Sequence, residues 1–231
     1  QALCPLFIAL SGASPYQQGQ DTGFASARPL ESIVYPYGGP MPRLANWAEF
    51  EQVANEIFDT GLARSLKDIY WDVRPKPEFG TVEVRVFDTP LSVKRAVVLA
   101  AFTRGCAALA LAGKLAPPTA KAPYGAERVS RFYACRDGMN AVIHDPFAGR
   151  WMPVRRYLEE LTQMIAEAPL CSADMNRIDT LLRSCREQQD ADTMRETWNR
   201  IAADTGPWRD NTPSVDAFAA NTAEHCGRLL A

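Results

Sequence analysis

Residues 71–90 read WDVRPKPEFGTVEVRVFDTP, two strand-like runs around a Pro/Gly-rich break. Asp72, Arg74, Glu83 and Arg85 stand at alternate positions of these runs, so strand alternation throws all four onto one side. If Arg74 lies opposite Glu83, the same register sets Asp72 opposite Arg85, which gives two crossed acid–arginine pairs on one face. Such a lattice has two chemical uses. Carboxylates bind hard divalent cations such as Mg2+, and arginines clamp carboxylate or phosphate oxygens and neutralise charge that develops during phosphoryl transfer. The same pattern equally describes a half-solvated antiparallel sheet with cross-strand ion pairs, and spacing alone does not choose. A further arginine, Arg28, sits in the small-residue stretch DTGFASARP, where backbone N–H groups could face an anion, although a surface loop arginine reads the same way.

Other chemistries find little support. There is no P-loop, no GxGxxG and no GxSxG. The six cysteines (4, 106, 135, 171, 185 and 226) have no CxxC spacing, and with His144 and His225 as the two histidines a Cys/His zinc site is not indicated. Unpatterned cysteines read as reduced, buried thiols, which together with the absence of a visible signal peptide points to a cytoplasmic protein. The 231 residues carry 25 Lys+Arg against 27 Asp+Glu, a formal net charge of −2, which gives no electrostatic case for nucleic acid or an anionic membrane.

The elements that must position these residues follow from periodicity. Residues 1–12 read as a buried helix closed by Gly12. Residues 13–44 form a long Gly/Pro/Tyr-rich loop whose aromatics, Tyr16 among them, favour order. A helix begins at Asn46 or Trp47 and stops near Gly61. Strands are expected over Leu66–Val73 and Thr81–Phe87. The apolar run Ala96–Gly113, capped by Thr89 or Ser92 and interrupted by Arg104, reads as a buried core helix and not a membrane span. Glu127–Arg136 is helical, Gly138–Pro153 is a hairpin turning at Asp145–Gly149, and Val154–Glu167, Ser172–Gln188, Asp192–Thr205 and Ser214–Leu230 are amphipathic helices. Strands early and helices late give an α+β fold, with a sheet/loop half over 1–115 and a mostly helical half over 116–231.

The strings FIALSGASPYQQGQDTGFASARP, YGGPMPRLANWAEFE, KDIYWDVRPKPEFGTVEVRVFDTPLS and RFYACRDGMNAVIHDPFAGR resemble the bacterial carboxylate–amine ligases, the type 2 glutamate–cysteine ligase family. The resemblance implies a glutamine-synthetase-like antiparallel sheet whose concave face holds ATP, Mg2+ and an acidic substrate. It implies ATP-dependent amide formation through an acyl phosphate, with glutamate and cysteine as the small-molecule substrates. By the same resemblance Glu83 matches a Mg2+ ligand and Arg85 a contact to the transferring phosphoryl group. Arg74 and Arg28 match positions that hold substrate carboxylate or phosphate. Asp72 and Asp88 are expected to orient these arginines, and Tyr16 to form a pocket wall.

Strands of the GIELE and HVHVG types, which the family places earlier, do not occur here, and the chain opens on Gln1 within an apolar segment. The expectation is therefore a single domain spanning 1–231 that is the C-terminal part of a larger catalytic domain, inactive by itself. The alternative is a truncated, non-catalytic assembly module or one half of a split enzyme, whose unpaired strand edge would invite another chain. The helical second half is available as a homodimer face.

Overall fold

The computed structural model describes residues 1–116, 123–168, 170, 172–187 and 189–205. In chain order its regular elements begin with α1 (Cys4–Ser11), the strands β1 (Tyr16–Gln17) and β2 (Gln20–Asp21), and the short helix α2 (Arg28–Ser32). Strand β3 (Gly38–Gly39), helix α3 (Trp47–Asp59) and strands β4 (Tyr70–Trp71), β5 (Val73–Lys76) and β6 (Thr81–Val84) follow. The remainder comprises α4 (Val93–Leu111), α5 (Ala126–Asp137), the hairpin β7 (Val142–Asp145) and β8 (Arg150–Pro153), then α6 (Val154–Ala166), α7 (Ser172–Glu187) and α8 (Asp190–Thr205). The fold is α+β, and beyond the β7–β8 hairpin the described residues are helical apart from their connections.

Local chemistry accounts for most boundaries. The Asn46 side chain accepts from Glu49 N at 3.0 Å while Glu49 reaches back to Ala45 N, which starts α3. Ser92 accepts from Arg95 N at 3.1 Å and starts the 19-residue α4. Helix α1 is buried on every side, and α4 buries a stripe through Val98, Leu99, Phe102, Cys106 and Leu109. These helices join α5, α6, α7 and the β7–β8 hairpin around one core, with Phe102, Leu109, Ile165, Ile178 and Leu181 fully enclosed. A smaller cluster of Phe50, Ile57, Ala63, Ile69 and Trp71 seats α3 against β4. Cys4, Cys106 and Cys135 are free thiols inside the protein, and burial pushes each up to about 12. Among the described residues no helix is long and apolar enough to cross a membrane.

The strands form four two-stranded ladders among the described residues, of which β3–β4 is parallel and the others antiparallel. Two of them run into one another. Asp72 N donates to Gly39 O and Asp72 O accepts from Arg85 N, each at 2.7 Å, so the 70–76 segment is bordered by β3 at one end and β6 at the other.

Two strand expectations are corrected. Leu66–Asp68 is a 3-10 turn because Ser65 and Asp68 form a reciprocal capping box, which satisfies those amides locally. The second strand stops at Val84 because the carbonyls of Arg85 and Phe87 accept from the Arg28 guanidinium and not from a neighbouring strand. The expected helix Ser214–Leu230 and the His225-Cys226 pair lie outside the described residues.

Helix α5 ends at Gly138 (φ 54°, ψ −126°), a conformation closed to residues with a Cβ. An added Cβ would also stand 2.1 Å from Gln189 Oε1, which accepts from Met139 N at 2.9 Å and so ties α5 to the start of α8. Backbone strain and steric overlap have the same sign here. Gly138→Ala is expected to lower unfolding free energy by about 3 kcal/mol, read as a fall in the urea midpoint at unchanged m-value. A loss within experimental error would show that this junction is not tightly built.

Candidate functional site

The register expected from alternation is observed: Arg74 lies opposite Glu83, flanked by Val73–Val84 and Pro75–Val82. The Arg74 Nε donates to Glu83 Oε2 at 2.7 Å, so one of the two cross-strand ion pairs forms. The second does not. Asp72 and Arg85 meet through backbone atoms, but the Asp72 carboxylate turns to Arg131 of α5, 59 positions along the chain. Both members of that pair are buried, with side chains 3% and 7% exposed. The Arg131 guanidinium also donates to Pro29 O at 3.0 Å, while its buried Nε has no acceptor among the described residues. The two acid–arginine pairs of the sequence pattern thus use a third arginine.

Burial then separates residues that the pattern treats alike. Arg74 is 7% exposed, and its Nη1 donates to the carbonyls of Leu66, Lys67 and Ile69. Its donors serve the turn and Glu83, which makes it a brace between the 3-10 turn and β6. Arg85, on the same face, remains partly accessible. It donates to Ile69 O at 3.1 Å, lies 3.7 Å from Glu83 Oε1, and its guanidinium sits 4.9 Å over the Tyr70 ring. Tyr70 is itself stacked on Tyr35 with centroids 4.8 Å apart. Partial burial, followed by the neighbouring Arg74 charge, holds the Arg85 guanidinium below its ordinary range, although it is still protonated at neutral pH.

Arg28 reaches the same place from the other side. Its Nε donates to Asp88 Oδ1 at 3.1 Å and its Nη2 to the carbonyls of Arg85 and Phe87. Asp88 is 2% exposed, and its Oδ2 accepts from Ala13 N and Ser14 Oγ, each at 2.8 Å. The side chains of Arg28, Tyr35, Tyr70, Asp72, Arg85 and Arg131 line an open cleft of about 190 Å³. Glu31 also borders it. The cleft therefore presents three guanidiniums, each with a carboxylate beside it: Asp88 for Arg28, Asp72 for Arg131 and, at 3.7 Å, Glu83 for Arg85.

Of the seven residues singled out from the sequence, Arg28, Asp72 and Arg85 line the cleft, while Asp88 and Glu83 contact its arginines from behind or beside. Arg74 is turned into the protein. Tyr16 lies elsewhere, in the β1–β2 hairpin, 5.3 Å from the Trp198 ring of α8, with Asp21 of the same hairpin held by Arg195 at 2.8 Å. Sequence reasoning missed Arg131. The string RFYACRDG contains it, but a helix gives no alternation signal linking it to a strand acid. For a metal, the donor set is thin: Glu83 is one carboxylate between two guanidiniums, and among the described residues no group of three or more His, Cys, Asp or Glu could hold an ion.

The buried Asp72–Arg131 pair yields a test of this architecture. Removing one member of such a pair typically costs roughly 3–5 kcal/mol, because the other charge stays buried without compensation. Asp72→Asn is expected to destabilise the chain by about 3 kcal/mol in chemical denaturation, and Asp72→Asn with Arg131→Met to recover part of that loss. A single variant indistinguishable from the parent would mean that the pair is not closed in solution.

A family model described as glutamate-cysteine ligase family 2 matches residues 1–215. A relative from Acidovorax sp. (strain JS42) is 46% identical over 162 residues, covering 70% of this chain and 43% of the relative. One from Verminephrobacter eiseniae (strain EF01-2) is 47% identical over 154 residues, 67% of this chain and 41% of the relative. One from Polaromonas naphthalenivorans (strain CJ2) is 42% identical over 188 residues, 81% of this chain and 49% of the relative. All three bear the name "Putative glutamate--cysteine ligase 2", and this chain spans less than half the length of each. With a family model covering most of its length and the Asp72–Arg85 block folded as a basic cleft, the chain belongs to glutamate–cysteine ligase family 2.

Proposed function

We propose that this chain contributes one wall of the active site of an ATP-dependent carboxylate–amine ligase, with glutamate and cysteine, the compounds in its relatives' names, as the acid and the amine. The observation that carries the reading is the convergence of Arg28, Arg85 and Arg131 on one open cleft. Guanidiniums pair bidentately with carboxylates and phosphates, and three of them tolerate the charge accumulated when two anions are brought together.

In the reaction a substrate carboxylate oxygen attacks the γ-phosphorus of ATP, and the bond to ADP breaks. The amine nitrogen then attacks the acyl carbon, phosphate leaves with the C–O bonding pair, and the nitrogen loses a proton. No covalent enzyme nucleophile is required, so the protein acts through positioning and electrostatics. Arg85, with its longer and shared ion pair, is the residue proposed to meet the transferring phosphoryl group. Arg28, held rigid by Asp88, is proposed to orient the acid. Asp72 fixes Arg131 at the back of the cleft. Arg74 acts as a positioning residue, because it holds Glu83 beside Arg85.

Mg2+ bound to ATP would supply charge neutralisation at the phosphates. Glu83 is the carboxylate this chain is proposed to offer it, but one carboxylate does not make a centre for an ion that prefers six oxygen ligands. Further ligands must then come from outside the described residues, and the chain is proposed to be part of a larger catalytic unit. Tyr16, away from the cleft, takes no part in this scheme.

Two measurements on the 231-residue chain test the reading. Calorimetric titration with glutamate is expected to show weak binding that Arg85→Gln reduces at least tenfold, about 1.4 kcal/mol. ADP release with ATP, Mg2+, glutamate and cysteine is expected not to exceed the rate without glutamate and cysteine. Failure to bind any amino dicarboxylate, or binding unchanged by Arg85→Gln, would remove the cleft as the acid site. Robust ligation by this chain alone would overturn the division of ligands.

A further inference from the structure

A second basin, of about 340 Å³, lies between the first turn of α4 and the last turns of α7. Among the described residues its polar lining is Ser92, Lys94, Arg95, Thr180, Arg183 and Ser184: three cations, three hydroxyls and no acid. Lys94 and Arg183 have no ion-pair partner among the described residues. None of these residues belongs to the arginine cleft.

The state of Arg95 is the informative feature. It is 8% exposed, yet among the described residues its hydrogen-bond partners are neutral: Nη1 donates to Ser184 Oγ at 2.7 Å and Nη2 to Leu10 O at 2.9 Å. Among the described residues its buried Nε has no acceptor. A guanidinium removed from water with neutral partners and an idle donor retains a large unmet attraction for an anion. The other observations point the same way. Arg95 stands in the first turn of a 19-residue helix, whose dipole adds positive potential. Lys94 and Arg183 border the same space with their charges uncompensated. The Ser92 hydroxyl, which accepts from Arg95 N, keeps its own proton to donate, whereas those of Thr180 and Ser184 already donate to Asn176 O and Leu181 O.

We infer that this basin binds a small phosphorylated metabolite. Three cations surrounding one space favour a ligand of at least two negative charges, and their N–H donors with the Ser92 hydroxyl suit several oxygens around one centre, as in phosphate. A monocarboxylate offers two oxygens and one charge. The volume falls within the roughly 300–1,000 Å³ usual for ligand pockets, enough for a phosphate and a small organic body. Arg95 also touches α1: Leu10 accepts from Arg95, and the next residue, Ser11, accepts from the amide of Asp88, whose carboxylate holds Arg28 of the cleft, at 3.2 Å. Arg95 and Asp88 thus hold adjacent residues of α1.

Inorganic pyrophosphate is the probe, titrated by calorimetry into the 231-residue chain, the double variant Lys94→Gln/Arg183→Gln, and Arg85→Gln. Both basin positions are polar surface residues without ion pairs among the described residues, so the double variant is expected to melt as the parent does. The inference expects measurable pyrophosphate binding, at least tenfold weaker in the double variant and retained in Arg85→Gln. Citrate, a multivalent carboxylate, is expected to bind more weakly than pyrophosphate. Equal binding by the double variant, loss of all binding in Arg85→Gln, or no binding to the parent chain at millimolar probe would each overturn the site. Tighter binding of citrate, abolished by the double variant, would overturn the phosphate assignment.

Discussion

The Asp88 carboxylate holds together the end of α1, the loop after it and the exit of β6. It is nearly inaccessible to water, and both of its oxygens accept hydrogen bonds: Oδ2 from Ala13 and Ser14, Oδ1 from Arg28. Its own amide donates to Ser11 Oγ. A buried carboxylate is tolerated only when its lone pairs are filled by well-placed donors, so these segments are constrained to meet at one point. Arg28 is fixed by that meeting, and its free hand takes the carbonyls of Arg85 and Phe87. The side chain thereby does for the 85–87 backbone what a neighbouring strand would otherwise do. The end of β6 and the position of Arg85 both follow from it.

Charge around the cleft is distributed unevenly. Asp88 is committed to Arg28, Asp72 to Arg131, and the nearer oxygen of Glu83 to Arg74. Arg85 is left with the farther oxygen of Glu83 at 3.7 Å, one carbonyl, and the face of Tyr70. It is also repelled by Arg74, which contributes to its lowered pKa. An incoming carboxylate or phosphoryl oxygen would relieve that repulsion and fill the unmet donors at once. The other arginines gain less from a ligand, because carboxylates already stand beside them.

Much of this was legible in the sequence, and what was not has a common physical cause. Period-two alternation with a Pro/Gly turn is enough to set Arg74 opposite Glu83, because a hairpin's register is fixed locally. The starts of α3 and α4 follow from Asn46 and Ser92, whose side chains act within three residues. Alternation reports a shared face but not what covers it. Arg74 and Arg85 look equivalent by spacing, yet one is sealed by the 66–69 carbonyls and the other opens to the cleft. The partner of Asp72 could not be read at all, since it comes from α5. The 3-10 turn at Leu66–Asp68 was concealed by apolar residues that also suit a strand. Tyr16 followed its hairpin toward α8, where Trp198 and the Asp21–Arg195 pair retain it.

The choice first posed by the acidic–basic strands, a solvated edge or a ligand site, therefore divides along the face itself. Trp71 and Val86, on the apolar side, are 4% and 2% exposed, and Asp72 and Arg74, on the charged side, are enclosed as closely at 3% and 7%. A solvated edge would leave the charged side open along its length. Burying charges in this way is unfavourable unless each is met, and the protein meets them with backbone carbonyls and with Arg131 from another element. A pair whose only task was to decorate a sheet would not require that support. Arg74, Asp72 and Asp88 are best understood as the rigid frame, and their full satisfaction is the reason Arg85 can be left under-satisfied without the structure rearranging around it.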